Sequence, residues 1–232
     1  MYKDHKHLDK VDDKLILWKH MDFTKFANLI ETSSLWFNRI DQFEDPFEGT
    51  YPQANEELRS EIYEDYQPPK EIYESIQSST RENLFVSCFH QNEYESAAMW
   101  RLYADANGVA IKTTVERLKN CFAKENRDVY MSRVEYIDFE KEFLPEGNMF
   151  YLGTHKRKSF EYEQEIRCLY LDLANEEVQE YGVKILVDLP MLIQQLYISP
   201  YAASYVKDTV KSFLKIHGLS IDVSVSSLYE IN

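Results

Sequence analysis

Cysteine is scarce in this chain of 232 residues, and its three copies lie far apart at Cys88, Cys121 and Cys168. No CxxC pair and no HExxH spacing occurs, so the sequence offers neither a zinc framework nor a helical metalloprotease motif. Isolated cysteines of this kind are typical of reduced thiols in a cytoplasmic protein. We therefore expect a cytoplasmic protein that needs no metal ion.

Positive charge is in the minority, because 26 lysines and arginines stand against 40 acidic residues and give a formal net charge of -14. A surface of that sign repels a phosphate backbone, so broad binding of DNA or RNA is disfavoured. The one basic cluster is the run HKRK at residues 155–158. A charge run this short is predicted to be a solvated loop.

Long hydrophobic runs are also missing, and the amino terminus, MYKDHKHLDKVDDK, is polar where a secretory signal needs an apolar stretch. We expect no contact with a membrane. Hydrophobic residues nevertheless make up 44% of the chain and aromatic residues 14%, which argues against intrinsic disorder. The length suits a polar segment at residues 1–13 followed by a single domain at 14–232.

Short apolar runs alternate with segments of helical periodicity along the chain. Strands are predicted near residues 15–18, 35–37, 84–89, 109–111, 134–136, 159–171, 182–189, 196–200 and 221–228. Helices are predicted near 23–30, 96–103, 115–123 and 205–217, with a helical insertion of two short helices near 55–82. This order predicts an α+β fold with helices inserted between strands.

The stretch SFEYEQEIR, at residues 159–167, carries the densest acidic pattern. If it is a strand, Glu161, Glu163, Glu165 and Arg167 share one face, because side chains alternate. Carboxylates stacked in this way repel each other unless cations or a ligand relieve them, and Arg167 neutralises at most one. The face is either a solvated surface or one wall of a site.

Other polar side chains occur at the ends of predicted strands and on the helix near 96–103. Ser87 lies among apolar neighbours and needs a hydrogen-bond partner if it is buried. Lys19 and His20 follow an apolar strand, so one of them points to each face. Arg101 is suited to a phosphate or carboxylate, and Tyr103 to stacking on a flat ring. The neighbouring pair at residues 99 and 100 is predicted to be core packing.

Two acidic residues flank a rigid turn in the sequence DQFEDPFEG. Asp45 precedes Pro46, which lacks an N–H and favours an extended conformation before it. Asp45 and Glu48 are carboxylates that could together ligate Mg²⁺, although Asp before Pro is also a common turn former. We favour the turn.

Three stretches, FEDPFEG, SCF followed by MWRLYADANGVAI, and KSFEYEQEIRCLY, resemble successive signatures of the bacterial family known as domain of unknown function 2971. The resemblance runs from about Leu15 to Leu228. Two positions depart from the family pattern: Glu44 replaces a usual asparagine, and Phe160 replaces a common tryptophan. The family name implies no chemistry.

The order of these elements is similar to that of ADP-ribosyltransferases, although this likeness is looser than the family resemblance. It implies a split sheet that is mixed and largely antiparallel, with NAD as substrate. In that pattern Glu165 stabilises the positive charge on the ribose, Ser87 orients Glu165, and Glu163 activates the acceptor. The implied cofactor-binding residues are Lys19, His20, Phe89, Arg101, Tyr103 and Arg167, with Lys19 or Arg101 on the pyrophosphate and Phe89 or Tyr103 on the nicotinamide.

Three functions therefore remain open on sequence grounds. The first is an enzyme of ADP-ribosyltransferase type, or one that cleaves NAD, acting on an unknown protein or nucleic-acid acceptor in bacterial or phage conflict. The second is a magnesium-dependent nuclease or phosphohydrolase that uses Asp45, Glu48, Glu163 and Glu165. The third is a non-enzymatic sensor or interaction module with an aromatic surface.

Overall fold

A computed structural model describes residues 1–64, 68–104, 106–174 and 181–230 of the chain. The strands are β1 (Ile16–Met21), β2 (Ser34–Arg39), β3 (Leu84–Gln91), β4 (Val109–Thr114), β5 (Tyr130–Arg133), β6 (Glu135–Ile137), β7 (His155–Arg157), β8 (Glu165–Leu171), β9 (Gly182–Leu186), β10 (Gln195–Ile198) and β11 (Val223–Val225). The helices are α1 (Phe23–Thr32), α2 (Gln53–Ile62), α3 (Lys70–Asn83), α4 (Ala97–Tyr103), α5 (Val115–Cys121), α6 (Tyr151–Thr154), α7 (Leu189–Leu192) and α8 (Ser204–Ile216). Short 3₁₀ helices lie at Ile40–Gln42 and Lys158–Glu163.

One mixed sheet organises the described residues. Its strands follow the order β11-β10-β4-β1-β3-β2-β9, while β8 pairs with β3 and β5 pairs with β8. Apart from the parallel pair β10 and β11, the pairings in this sheet are antiparallel. A separate parallel pair joins β6 to β7. The predicted α+β fold with a mixed, largely antiparallel sheet is confirmed.

The central strand β3 has two different partners along one edge. β1 pairs with its carboxyl-terminal end, where Trp18 lies opposite His90. β2 pairs with its amino-terminal end, where Asn38 lies opposite Val86. Residues 87–89 therefore face a gap between β1 and β2, which we call the split. Along the other edge, β8 pairs with β3 over its length.

Helix α1 carries the chain from β1 to β2 across the split. The side chain of Asp22 caps it by accepting a hydrogen bond from the backbone N–H of Lys25. Phe26, Leu29 and Ile30 recur at helical spacing and are buried. The main apolar core therefore packs α1 against the face of the sheet that also carries Phe37 and Phe89.

The amino-terminal segment at residues 1–13 is polar in sequence but packs against the domain. Tyr2 forms an isolated bridge with Val129, and Leu8 and Val11 are buried. The helical insertion contains α2 and α3, and residues 65–67 between them lie outside the described residues.

The predicted strand at residues 159–171 is wrong in its first half. Residues Lys158–Glu163 form a 3₁₀ helix, and Gln164 then adopts the left-handed conformation with φ of 42° before β8 begins at Glu165. Glu161 is therefore exposed and separate from Glu165, so there is no ladder of acidic side chains. The prediction also missed β5, which adds a strand to the outer edge of β8.

Gly108 lies where the turn after α4 meets the start of β4. A Cβ atom there would lie 2.8 Å from the carbonyl oxygen of Met21 and 2.9 Å from the Cα of Ala104, both backbone atoms. We expect Gly108→Ala to lower the free energy of unfolding by about 1–3 kcal/mol because the backbone must shift to admit the methyl group. Urea denaturation measures the change. Gly147→Ala is the control, since its Cβ would meet nothing within 4 Å, and an equal loss in both variants would contradict the argument.

Candidate functional site

A cleft of about 540 Å³ opens at the split and is lined by residues from β1, α1, β2, β3 and α4, together with Lys156 of β7, Glu163 and Glu165 of β8. Register places a set of side chains on one face of the sheet around it, because directly paired residues point the same way. That set is Trp18 and His20 of β1, Trp36 and Asn38 of β2, Cys88 and His90 of β3, and Glu165 and Arg167 of β8.

A larger cavity of about 870 Å³ lies between the helical insertion and the loop at residues 46–53. Its arginines are already ion-paired: Arg59 bonds to Glu146 at 2.5 Å, and Arg157 bonds to Asp45 at 2.7 Å. The split cleft instead holds buried charge and an ammonium group, that of Lys19, for which the described part of the chain provides no acidic partner. We place the candidate site there.

Five charged side chains form what we call the buried charge network: Glu48, Lys156, Glu163, Glu165 and Arg167. Arg167 is fully buried, and its two terminal nitrogens donate to the two oxygens of Glu48 at 2.7 and 2.9 Å. Its Nε donates to Glu165 Oε2 at 2.5 Å. Such forked contacts hold both carboxylates in a fixed geometry.

Lys156 completes the network, because its ammonium group contacts all three carboxylates. It lies 3.1 Å from Glu165 Oε1 and 3.2 Å from Glu48 Oε1, and it also bonds to Glu163 Oε2. Burial alone would lower the pKa of Lys156, but Glu165 and Glu48 raise it, so the group stays charged. With two cations against three carboxylates, the network holds an excess negative charge when every group is ionised.

That imbalance shifts the pKa values of the two carboxylates that line the cleft in opposite directions. Burial and the neighbouring Glu165 raise the pKa of Glu163 to about 7. Burial acts on Glu165 too, yet Arg167 and Lys156 hold the pKa of Glu165 well below its usual range. Near neutral pH, Glu165 is therefore ionised and Glu163 is poised to exchange a proton, an arrangement common in enzyme active sites.

Two further residues hold Glu163 in place. The hydroxyl of Tyr103 donates to Glu163 Oε1 at 2.5 Å, while its ring lines the cleft. The Nδ1 of His90 lies 2.6 Å from the Glu163 carbonyl oxygen, and since a carbonyl can only accept, Nδ1 carries the proton. Burial lowers the pKa of His90, so its imidazole is neutral.

Lys19 reaches into the split from β1. Its ammonium group donates to Ser87 Oγ at 3.0 Å and to the Cys88 carbonyl at 2.9 Å, and it lies 4.8 Å from the centre of the Phe89 ring. Among the residues that the structure describes, no carboxylate forms an ion pair with it, and burial lowers its pKa. Lys19 therefore supplies positive charge that a bound anion can use.

His20 lies beside the same cleft and is neutral, because burial and the neighbouring His90 lower its pKa to about 3. Its ring meets the edge of Trp100 at 4.8 Å. The buried Nε2 atom of His20 has no hydrogen-bond partner within the described chain. Trp100 and Met99 are both buried, as expected for core packing.

The structure corrects three of the expected roles. Ser87 lies opposite Cys168 and Glu165 lies opposite His90, so these two side chains point to opposite faces and Ser87 does not orient Glu165. Arg101 is exposed and donates to the Tyr201 hydroxyl at 3.1 Å, outside the cleft. Arg167 is enclosed by its carboxylate partners and positions Glu165, so it has no face for a cofactor.

Of the remaining expected residues, Lys19, His20, Phe89 and Tyr103 all line the cleft with Glu163 and Glu165. The Phe89 ring is buried in the core, whereas 46% of Tyr103 is exposed, so Tyr103 is the better stacking surface.

Lys156 is a site residue that sequence reasoning missed, and Glu48, considered there only as a possible Mg²⁺ ligand, belongs instead to the buried charge network. The run at 155–158 was predicted to be a solvated loop, and this is wrong for Lys156, which is buried. β7 explains the difference, because alternation turns Lys156 inward while the side chains on either side of it are less buried. The available signal was the surplus of acidic residues at 163 and 165, which demanded a cation.

No group of three or more histidine, cysteine, aspartate or glutamate side chains is arranged to hold a metal ion in the part of the chain that is described. The nuclease hypothesis needs Glu48 as a metal ligand, but both of its oxygens accept hydrogen bonds from Arg167. Both oxygens of Asp45 likewise accept hydrogen bonds from Arg157.

Residues 99–168 match the family described as "Protein of unknown function (DUF2971)", which confirms the family resemblance over that range. The match includes Tyr103, Lys156, Glu163, Glu165 and Arg167 but not the residues of β1 to β3. Neither the curated proteins nor the solved structures contain a match to the chain. Across the described ranges, no helix combines the length and apolar character needed to cross a membrane.

Removing one member of the buried charge network should be costly. We expect Arg167→Met to lower the free energy of unfolding by about 3–5 kcal/mol, because it leaves Glu48 and Glu165 buried without their main partner. Thermal and urea denaturation measure the loss. Arg101→Met is the matched control, since Arg101 is exposed and contacts a surface hydroxyl; similar losses in both variants would argue against the network.

The raised pKa of Glu163 predicts a pH dependence of stability. Between its ordinary value of 4.5 and about 7, the folded protein holds a proton that the unfolded chain has released. Stability therefore falls as pH rises through that window and levels off above it. Glu163→Gln should remove this slope in urea denaturation, while Glu161→Gln, at an exposed position, should keep it; a slope unchanged in Glu163→Gln would contradict the assignment.

Proposed function

We propose that the split cleft binds NAD and cleaves its bond between nicotinamide and ribose, as an ADP-ribosyltransferase-like enzyme or an NAD glycohydrolase. The observation that carries this proposal is the pairing, in one cleft, of an ionised buried carboxylate, Glu165, with the ammonium group of Lys19, which has no acidic partner among the described residues. The first suits a developing cation and the second suits a phosphate.

Glu165 has the properties that this bond cleavage requires. When the C–N bond breaks, its electron pair leaves with nicotinamide, and the ribose becomes oxocarbenium-like. A carboxylate held ionised in a partly desolvated site stabilises that charge without having to reorganise. Lys156 and Arg167 use one lone pair on each oxygen of Glu165, so lone pairs remain to accept bonds from a ribose hydroxyl.

Glu163 completes the second half of the reaction. A nucleophile, either water or a group on an acceptor, attacks the ribose carbon and loses its proton to Glu163. A pKa of about 7 suits a general base near neutral pH. Tyr103, which donates to Glu163 and exposes part of its ring, supplies a flat surface for nicotinamide.

Lys19 is assigned to the pyrophosphate. An ammonium group has three donors, of which Ser87 Oγ and the Cys88 carbonyl take two. A bound phosphate oxygen would accept the third and would favour the charged form of a lysine whose pKa burial lowers. The acceptor, whether a protein, a nucleic acid or water, and a role in bacterial or phage conflict are hypotheses that rest on the same analogy.

The nuclease alternative fits this geometry less well. It requires carboxylate oxygens free to bind Mg²⁺, whereas those of Glu48 are held by Arg167. Lys156 and Arg167 also each donate a hydrogen bond to one oxygen of Glu165. A sensor that binds the nucleotide without cleaving it would use the same cleft, and turnover distinguishes it from an enzyme.

We expect the purified protein to release labelled nicotinamide from NAD without Mg²⁺, in the presence or absence of a cell extract that supplies acceptors. Glu165→Gln should slow this release by about 100-fold or more, because the isosteric amide cannot stabilise a cation. Chromatography of the labelled product measures the rate. The control is Glu161→Gln, at an exposed position of the 3₁₀ helix, which should leave the rate of nicotinamide release unchanged.

Melting temperatures of both variants confirm that they are folded. If Glu165→Gln does not fold, the pH profile of the wild-type protein decides, since release should increase as Glu163 ionises near pH 7. Absence of both NAD cleavage and NAD binding by calorimetry would refute the proposal. Mg²⁺-dependent cleavage of nucleic acid would favour the nuclease instead.

A further inference from the structure

Trp36 differs from the other two tryptophans of the chain. Its side chain is 40% exposed, whereas Trp18 and Trp100 are 2% and 0% exposed. It follows Leu35 on β2 and lines the split cleft on the side away from β8. A large apolar ring left open to a polar cleft is the feature for which the proposed reaction provides no role.

The ring of Trp36 is positioned by one hydrogen bond and by the neighbouring strand. Its Nε1 donates to Asn38 Oδ1 at 2.6 Å, two residues further along the same face of β2. The neighbouring strand β9 contributes Gly182, where a Cβ atom would lie 2.7 and 2.8 Å from ring atoms of Trp36. The absence of a side chain at Gly182 therefore lets the indole lie against the backbone, which leaves the rest of the ring accessible.

Asn38 is oriented by the same contact. Because its Oδ1 accepts from the indole, its amide NH₂ points away and is available to donate at the cleft, which Asn38 also lines. An indole face beside an amide donor is suited to a planar heterocycle with ring-nitrogen acceptors.

The position of Trp36 relative to the charged groups is equally specific. Glu165 is on β8 and Trp36 is on β2, the strands on the two sides of β3, so about two strand spacings, or roughly 10 Å, separate their backbones. The Lys19 ammonium lies in the split at the edge of β3, where it donates to the Cys88 carbonyl and to Ser87, whose side chain points to the face opposite Glu165. In the direction across the strands, the order is therefore the Glu165 carboxylate on β8, the Lys19 ammonium in the split and the Trp36 indole on β2.

We propose that Trp36 stacks on the purine base of the dinucleotide and that Asn38 donates to a ring nitrogen of that base. The order of groups then matches the order of parts in NAD: nicotinamide ribose at Glu165, pyrophosphate at Lys19, adenine at Trp36. The inference rests on the proposed function for this orientation, but it predicts binding of an adenine nucleoside even without turnover.

The test uses adenosine and AMP as probes of the full chain. Adenosine and AMP should both quench the tryptophan fluorescence of the protein, because Trp36 is exposed while Trp18 and Trp100 are buried. Trp36→Leu should weaken AMP binding by calorimetry by roughly 5- to 150-fold, the effect of losing one base stack. Tyr205→Leu, which removes another exposed aromatic ring outside the cleft, should leave AMP binding unchanged.

A second variant tests the amide. Asn38→Asp keeps an oxygen to accept from the indole but loses the donors, so binding of the uncharged adenosine should weaken while Trp36 stays in place. Nicotinamide mononucleotide, which lacks the purine, should bind Trp36→Leu and wild type equally. Wild-type affinity for AMP in Trp36→Leu would overturn the inference, as would loss of nicotinamide mononucleotide binding in that variant.

The two proposals fail in different ways. AMP binding that depends on Trp36, with no nicotinamide release from NAD, would refute the catalytic proposal and retain the purine site. NAD cleavage with an unchanged KM in Trp36→Leu would do the reverse.

Discussion

The clamp of Arg167 on Glu48 and Glu165 is the interaction on which the site depends. Arg167 is a fully buried residue of β8, and Glu48 belongs to the loop after the first 3₁₀ helix, more than a hundred residues away in sequence. Charges at this depth are stable only when each is paired, so the loop, β7 and β8 must assemble together. The same pairing keeps Glu165 ionised beside the cleft. Structural stability and the electrostatics of the site therefore have one origin.

The split provides the second requirement, which is space. A continuous sheet would cover residues 87–89 of β3 with another strand, but β1 and β2 pair with opposite ends and leave that stretch open. Lys19 partly substitutes for the missing strand by donating to the Cys88 carbonyl. A cation is thus placed where a backbone N–H would otherwise be. The sheet gains a polar opening without leaving that carbonyl unsatisfied.

The sequence predicted the parts that depend on local rules. The α+β class follows from alternating periodicities, and the helix near residues 96–103 and the packing role of Trp100 were both predicted from the local sequence. Glu165 and Tyr103 were also predicted as site residues, and both line the cleft. The long-range pairings were not accessible: a lysine in a basic run looks solvated until β7 turns it inward towards Glu48 and Glu163. Similarly, nothing local distinguishes Ser87 facing Glu165 from Ser87 facing Lys19 until the register is known.

Gln164 separates the two carboxylates that line the cleft, and it is one of only two residues other than glycine with positive φ in the described chain. In that conformation a single residue turns the backbone from 3₁₀ helix to strand. The side chains of Glu163 and Glu165 can therefore both reach Lys156. Side chains branched at Cβ are poorly tolerated there, whereas glycine and asparagine adopt it readily. The backbone conformation at position 164, between the two acidic residues, thus limits which side chains fit there. Few residue types should therefore occur at this position in homologous chains.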